Sequence, residues 1–427
     1  MSGQLSIFKP EKMEMAINRG IDGFVRPTGG VNNRGPYEFT LPPQNSSYLQ
    51  MGSIHLFGEM HVVHTDDSAL EAGEAVSVVN LLGPSLFEKI EVLIDGKVFT
   101  TSSASLANYK MYFETMHSYG ADARSTHLKM KVFELDTPGA FEDMQLQPEG
   151  ANNGFHGRAS KIRTSRRLQF ITDLASDFLR SDRLLIPRKE VRIRLSRSPD
   201  AFCILSNTVR EYKIVFQQLK LYYKRIYLHE PVSEGFNRDL ARHPARYELN
   251  HTEMRNFTVG MGQANVSLTD VYRGALPKSL IIGFVNTASF NGIQHLNPYN
   301  FQHFNLSTIY LKVNGLTVPS DPFTPDFENG LYVREYHNLF QSTGAFGLGR
   351  GNSIGYRAFK NGSTFFPFDL SPDNCHGYHL HPKIDGTLDV ELRFSEPLPQ
   401  SITILIHATF DNLVKILSTG ELVENIF

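Results

Sequence analysis

Alternating hydrophobic and polar positions occur in two similar series along this chain. Residues 90–96 (IEVLIDG) alternate and end in Asp-Gly, and residues 309–315 (IYLKVNG) alternate and end in Asn-Gly. A period of two predicts a half-buried strand, and Asp-Gly or Asn-Gly is typical of a two-residue hairpin turn. The sequence therefore predicts hairpins at Asp95-Gly96 and at Asn314-Gly315.

The similarity continues beyond the hairpins. Residues 109–120 (YKMYFETMHSYG) and 333–344 (VREYHNLFQSTG) each predict an amphipathic helix closed by Ser-x-Gly, with Gly120 and Gly344 as the closing residues. After each helix, a Thr-Asp-Leu or Phe-Asp-Leu triplet precedes another alternating strand. We interpret the chain as two copies of one all-β unit.

Further strand patterns specify the kind of β fold. Residues 53–63 and 213–227 alternate, the second with a bulge expected near Gln217 and Gln218, and residues 401–410 are apolar enough for burial on both faces. Many short strands with few helices favour antiparallel sandwiches. Long loops and an inserted helix favour the jelly roll among them. We predict an all-β protein of two tandem eight-stranded antiparallel jelly rolls, each with a short inserted helix.

Length and local composition suggest the domain limits. A chain of 427 residues exceeds the usual single-domain size. The expected division is an N-terminal arm (1–35), a first jelly roll (36–227), a linker (228–250) and a second jelly roll (251–427). The arm is rich in glycine and is expected to contact a neighbouring subunit, whereas the linker is polar and weakly helical.

Charge and composition narrow the function classes. The chain is 41% hydrophobic and 20% charged, which excludes a largely disordered protein. A net charge of -2 gives no overall attraction to nucleic acid, so we expect no sequence-specific nucleic-acid binding. The first residues lack the apolar core of a secretory signal, and the two cysteines form no framework. These features predict a soluble protein made in a reducing compartment, and we expect no cofactor.

One histidine-rich segment could carry metal chemistry. In residues 375–381 (CHGYHLH), His379 and His381 would share one face of a strand, as in cupin metalloenzymes. The cupin pattern also needs a glycine well upstream and a glutamate shortly after the pair, and both are missing here. Loop histidines are the favoured interpretation. A cupin-like metal-binding jelly-roll enzyme and a carbohydrate-binding module remain the alternatives, although no catalytic signature supports an enzyme.

A basic stretch is the second candidate site. Five cations fall within residues 156–167, namely Arg158, Lys161, Arg163, Arg166 and Arg167. They could contact phosphate, but no aromatic residues lie between them for base stacking. We interpret them as a solvated loop or as a contact patch for an acidic neighbour. The loop 136–165 that contains part of this stretch is expected to form an outer tower.

Several longer motifs resemble one known family. Residues 301–306 (FQHFNL), 311–315 (LKVNG), 368–373 (FDLSPD) and 408–412 (ATFDN) are similar to the major capsid proteins of Polinton/Maverick elements and adintoviruses. In the first half, residues 112–115 (YFET), 118–120 (SYG) and 198–203 (SPDAFC) resemble the same family. The motifs occur in the same order over almost the whole chain.

The resemblance implies a double jelly-roll capsid protein of the adenovirus-hexon lineage. Such a protein forms homotrimers, which are pseudo-hexameric capsomers that tile an icosahedral virion capsid. The implied partners are further copies of the chain, penton and minor capsid proteins, a maturation protease and a packaging ATPase. The family has no catalytic residues to assign to this sequence.

Overall fold

The computed structural model describes residues 15–32, 34–98, 105–349, 351–373 and 380–426. The strands of the first half are β1 (Ile17–Val25), β2 (Tyr37–Leu41), β3 (Tyr48–His64), β4 (Val76–Val78), β5 (Phe87–Ile94), β6 (Lys97–Val98), β7 (Leu168–Thr172), β8 (Leu184–Leu185), β9 (Val191–Arg197), β10 (Ile204–Ser206) and β11 (Tyr212–Leu228). Those of the second half are β12 (Ala245–Val259), β13 (Asn265–Ala275), β14 (Ser279–Asn286), β15 (Leu306–Val313), β16 (Leu316–Phe323), β17 (Phe365–Asp369), β18 (Asp385–Phe394), β19 (Ile402–Ile416) and β20 (Leu422–Ile426).

Short helices lie between the strands. They are α1 (Leu82–Ser85), α2 (Ala107–Ser118), α3 (Ala121–Ser125), α4 (Asn153–Ile162), α5 (Asp200–Cys203), α6 (Glu230–Arg242), α7 (Thr287–Phe290), α8 (Val333–Gln341) and α9 (Tyr356–Lys360). The helices α2 and α8 occupy corresponding places, each between the fifth and sixth main strands of its half.

Both halves have the same sheet topology. The first half has a sheet of order β1-β11-β3-β7 (sheet A1) and a sheet of order β2-β9-β5-β6 (sheet B1). The second half has β12-β19-β14-β17 (sheet A2) and β13-β18-β15-β16 (sheet B2), and the pairings are antiparallel. In each half the eight main strands therefore alternate between two sheets in the order 1-8-3-6 and 2-7-4-5, which is a jelly roll. The prediction of two tandem eight-stranded jelly rolls is confirmed.

Tight turns connect β5 to β6 and β15 to β16. Asp95 and Gly96 have φ of 50° and 78°, and Asn314 and Gly315 have φ of 52° and 82°. Two consecutive residues with positive φ make a type I′ turn, whose twist matches that of the flanking strands. The glycines are needed because this region of φ is strained for residues that carry a Cβ.

The two glycines after the helices differ from each other. Gly344 has a φ of 69°, and its N–H donates to the Gln341 carbonyl at 3.1 Å, so it closes the turn after α8. Gly120 instead has a φ of -83° and precedes α3. A Cβ at Gly120 would lie 3.0 Å from the Gly351 carbonyl oxygen, so close backbone approach accounts for this glycine rather than a helix cap.

The expected N-terminal arm and the expected linker both contain regular secondary structure. Residues 17–25 fall in the expected arm, but they form β1 and pair with β11 as the first strand of the first jelly roll. Within the expected linker, α6 occupies Glu230–Arg242, and β12 begins at Ala245. The structure thus extends the first jelly roll towards the N-terminus and starts the second before residue 251. The contact of residues 1–35 with another subunit stays a prediction.

The strand β19 is buried on both faces, as its composition predicts. Its inward face includes Ile404, which pairs with Phe284, and the Phe284 ring contacts Phe394 of sheet B2 with centroids 6.3 Å apart. Its outward face includes Thr403 and His407, which are also buried. The outer face of sheet A2 is therefore covered, and the first half of the chain covers it.

Candidate functional site: the junction between the jelly rolls

The helix α2 of the first jelly roll lies on the outer face of sheet A2. The Phe113 ring centroid is 5.1 Å from that of Phe365 on β17 and 5.8 Å from that of His407 on β19. On β14, a Cβ at Gly283 would lie 3.2 Å from Phe113 and 2.7 Å from Phe301. Phe113 thus contacts three adjacent strands of the other jelly roll, and the missing side chain at Gly283 leaves room for it.

Aromatic rings extend this contact. Tyr112 of α2 stacks on Tyr299 with centroids 4.1 Å apart, and Tyr109 stacks on Phe290 with centroids 5.6 Å apart. The Tyr109 hydroxyl donates to the Pro298 carbonyl at 3.2 Å. Residues 290–301 of the second half therefore pack against α2. Buried aromatic pairs of this kind add binding energy beyond their area.

Charged side chains at the same junction are buried in pairs. Lys110 of α2, which is 4% exposed, lies 2.8 Å from Asp177 and 3.8 Å from Glu114. The other carboxylate oxygen of Asp177 accepts from the backbone N–H of Thr252 on β12 at 2.8 Å. One carboxylate thus joins the inserted helix of the first jelly roll to a strand of the second.

Glu114 is the second carboxylate of this junction. It forms an ion pair with Arg180 and lies 3.8 Å from His407 of sheet A2. Burial alone would raise the pKa of Glu114, but the charges of Arg180 and Lys110 outweigh it and hold that pKa well below its ordinary range. Glu114 is therefore ionised and fully paired.

A second buried network joins the two halves and accounts for part of the basic stretch. Arg158 has no exposed surface; its Nε donates to the Val78 carbonyl at 2.7 Å, and its Nη2 lies 2.6 Å from Asp136. Asp136 also accepts from Asn152 at 2.9 Å and from Asn297 of the second half at 3.1 Å. Arg158 is thus an internal residue and not part of a surface patch.

The other four basic residues of the stretch do not form one cluster. Residues 153–162 form α4 rather than a loop, because Asn152 caps the helix by accepting from the N–H groups of Gly154 and Phe155. Lys161 pairs with Glu134 at 3.1 Å, and Arg167 pairs with Glu59 at 3.4 Å. Arg163 and Arg166 are exposed. A contact role for these four residues stays a prediction.

The histidine pair is described only in part. His379 lies outside the described residues. The ring nitrogens of His381 lie 3.1 Å from Asp411 and 3.1 Å from Asp373. Burial lowers the pKa of His381, but the hydrogen bonds to Asp373 and Asp411 outweigh it and raise that pKa, which favours a charged ring over a neutral metal ligand. In the described ranges no three His, Cys, Asp or Glu side chains are arranged to hold a metal ion.

A cleft of about 1270 Å³ opens beside these residues, between the two jelly rolls. Its walls include Glu114 and Arg180 from the first half and Lys278 and Asp411 from the second. Lys278 lies 2.6 Å from Asp411, so the charges of this wall are also paired. The cleft lies at the margin of the junction.

Sequence reasoning missed the junction. The residues that hold it together include Asn297, Tyr299 and Arg180, none of which falls in a periodic segment. The helix α2 is buried on almost every side, although it carries polar residues such as Asn108 and Lys110, which are typical of a side that faces solvent. The amphipathic prediction for residues 109–120 understated this burial.

Comparisons with known proteins agree with the fold. No family model matches the chain. An uncharacterised protein of Caenorhabditis elegans, F54H12.2, is 22% identical to this chain over 395 residues. The matched region includes 89% of this chain and 90% of the C. elegans protein. None of the helices in the described residues is long and apolar enough to cross a membrane.

Solved structures match over almost the whole chain. A chain of the Sputnik virophage matches with a TM-score of 0.67 at 12% identity, over 100% of this chain and 92% of its own. The PBCV-1 virus capsid matches at 0.59 with 10% identity, over 98% of each chain. The mavirus major capsid protein matches at 0.56 with 10% identity, over 100% of this chain and 95% of its own. The chain therefore has the double jelly-roll fold of these viral proteins.

Proposed function

We propose that this protein is a major capsid protein of the Polinton/Maverick and adintovirus group. Three copies form a pseudo-hexameric capsomer, and such capsomers tile an icosahedral shell. The sequence motifs shared with that group support the assignment to it. The match to viral capsid chains over the full length supports the structural role.

The observation that carries the proposal is the junction. Two jelly rolls of identical strand order are joined by stacked rings and by hydrogen bonds to buried carboxylates, including Tyr112–Tyr299 and Asn297–Asp136. A rigid pair of similar units can occupy two of six similar positions, so three chains complete a six-sided ring without six identical subunits. A buried network that fixes orientation suits this role better than it suits a site that binds substrate.

The partners follow from the same role. Further copies of the chain form the capsomer, and penton and minor capsid proteins occupy the remaining shell positions. A maturation protease and a packaging ATPase act on the assembled particle. The chain itself works in the virion capsid, after soluble synthesis in the host cell, and it is not an enzyme. Its net charge of -2 is consistent with close packing of identical copies, because like charges on each copy would repel.

Light scattering on the purified protein, followed by electron microscopy, tests the proposal. One chain has a mass of 48.2 kDa, so a trimer has a mass of about 145 kDa. We expect that mass and a hexagonal outline in projection. A protein that remains a 48.2 kDa monomer at high concentration would contradict the capsid role.

A further inference from the structure

The outer face of sheet A1 carries exposed or partly exposed apolar side chains across all four of its strands. They are Phe24 on β1, Tyr222 on β11, Phe57 on β3 and Ile171 on β7, and we call them the A1 face. Phe24 is 51% exposed, and Tyr222 and Ile171 are each 38% exposed. The Tyr222 ring contacts Phe24 and Phe57, with centroids 6.2 and 6.3 Å apart. Contiguous exposed apolar surface of this kind marks an interaction site.

The corresponding face of sheet A2 is already covered. Phe57 pairs with Ile171 and Lys220 in sheet A1, and on the corresponding strands of sheet A2 Ile281 pairs with Pro367 and His407. The helix α2 contacts sheet A2 at His407. The A1 face is thus the equivalent of a surface that receives a helix elsewhere in the same chain.

The structure also contains a second helix of the same kind. In α8, Val333 and His337 stand where α2 has Tyr109 and Phe113, the residues that pack against the second jelly roll. Val333 is 67% exposed, and the Phe346 ring, 63% exposed, lies on His337 with centroids 4.6 Å apart. The surface of α8 that corresponds to the docking surface of α2 therefore has exposed apolar side chains at Val333 and at the adjacent Phe346.

We propose that the A1 face of one copy binds α8 and the following residues 345–348 of a second copy. This contact rests on the proposed trimer and identifies its surfaces. It repeats between chains the α2-to-sheet contact seen within the chain. Each copy supplies one face and one helix, so the contact is heterologous and closes into a ring if the rotation allows.

Charged substitutions on each side test the contact. The face variant is Phe24→Asp with Tyr222→Asp, and the helix variant is Val333→Asp with Phe346→Asp. The control variant, Val209→Asp with Met261→Asp, changes two exposed apolar residues elsewhere. We expect light scattering to give monomers for the face and helix variants and trimers for the control and the unaltered protein. Circular dichroism melting checks that each variant folds.

A mixing experiment tests that the two surfaces bind each other. In an equimolar mixture, the intact face of the helix variant can receive the intact helix of the face variant. We expect a heterodimer of two 48.2 kDa chains, about 96 kDa, that neither variant forms alone. A mixture that stays monomeric would contradict the pairing of these surfaces.

The outcomes separate the two proposals. If the unaltered protein is a trimer and the folded face or helix variant is also a trimer, the assignment of the surfaces is wrong and the capsid role stands. If the unaltered protein is a monomer, the capsid role fails, and the contact fails with it.

Discussion

The ring of Tyr112 lies parallel to the ring of Tyr299, with an interplanar angle of 2° and centroids 4.1 Å apart. The two residues belong to different jelly rolls, and both are at most 1% exposed. The Tyr299 hydroxyl lies 2.6 Å from the Ser85 hydroxyl, whereas that of Tyr112 has no hydrogen-bond partner within the part of the chain that the structure describes. The two rings are therefore equally buried but have unequal polar contacts.

Tyrosine substitutions should show this difference. Tyr299→Phe removes a buried hydrogen bond and should lower the free energy of unfolding by about 1 kcal/mol. Tyr112→Phe removes an unpaired hydroxyl and should be neutral or slightly stabilising. Tyr112→Ala should cost about 3–5 kcal/mol because it leaves a cavity between the jelly rolls. Urea unfolding measures all three, and equal effects of the two phenylalanine variants would contradict the contact geometry.

Arg158→Met should be strongly destabilising. It leaves the Asp136 carboxylate buried without its cation, and breaking a buried pair in this way costs about 3–5 kcal/mol. Arg166→Ala, a change at an exposed cation of the same stretch, should stay within about 0.5 kcal/mol of the unaltered protein. Denaturant titration compares them. Similar small effects at both positions would show that Arg158 is a surface residue after all.

Gly315→Ala isolates the cost of positive φ. A Cβ at Gly315 would meet no atom within 4 Å, so the expected loss of about 1 kcal/mol comes from the backbone at a φ of 82°. Gly260 also has open space but no positive φ, and Gly260→Ala should not be destabilising. Thermal melts of the two variants provide the test. Equal melting temperatures would indicate that the hairpin does not use a type I′ turn.

Acid should weaken the junction through His117. Burial lowers the pKa of His117 from 6.5 to about 3, against the smaller opposing effect of its hydrogen bond to the Phe113 carbonyl. Between these two pKa values the unfolded chain binds a proton at His117 that the folded chain excludes, and this binding favours unfolding. The neutral His117 therefore does not reduce the free energy of unfolding above pH 6.5, and the protein loses stability as the pH falls from 6.5 towards 3.

His117→Gln should therefore flatten the fall in melting temperature over that pH range. Part of the slope should remain, because burial also lowers the pKa of His303, to about 4. The exposed His55 provides the matched control, and His55→Gln should leave the profile unchanged. A profile for His117→Gln that is as steep as that of the unaltered protein would show that His117 is already protonated in the fold.

Local patterns in the sequence were sufficient to predict most of the jelly-roll framework. The hairpin turns at 95–96 and 314–315, the bulge between Phe216 and Gln218, and the double burial of β19 each depend on residues close together in the chain. Such features can be recognised from periodicity and turn chemistry alone.

The junction could not be predicted in the same way. Arg158 lies in a basic stretch whose composition is typical of a solvated surface. Its burial depends on Asp136, and through Asp136 on Asn297, which is distant in sequence. The strand β1 contains two glycines and is mostly exposed, so it lacks the alternation that marks a strand; its pairing with β11 makes it one. Both outcomes are set by tertiary contacts that leave no local signal.

The covalent link between the jelly rolls bears on how a ring would assemble. In a ring of three chains, three of the six contacts between neighbouring jelly rolls form when each chain folds, so they do not depend on protein concentration. Only the other three require encounters between molecules and carry the entropic cost of association. Dilution would therefore separate such a ring into intact pairs of jelly rolls and not into single ones.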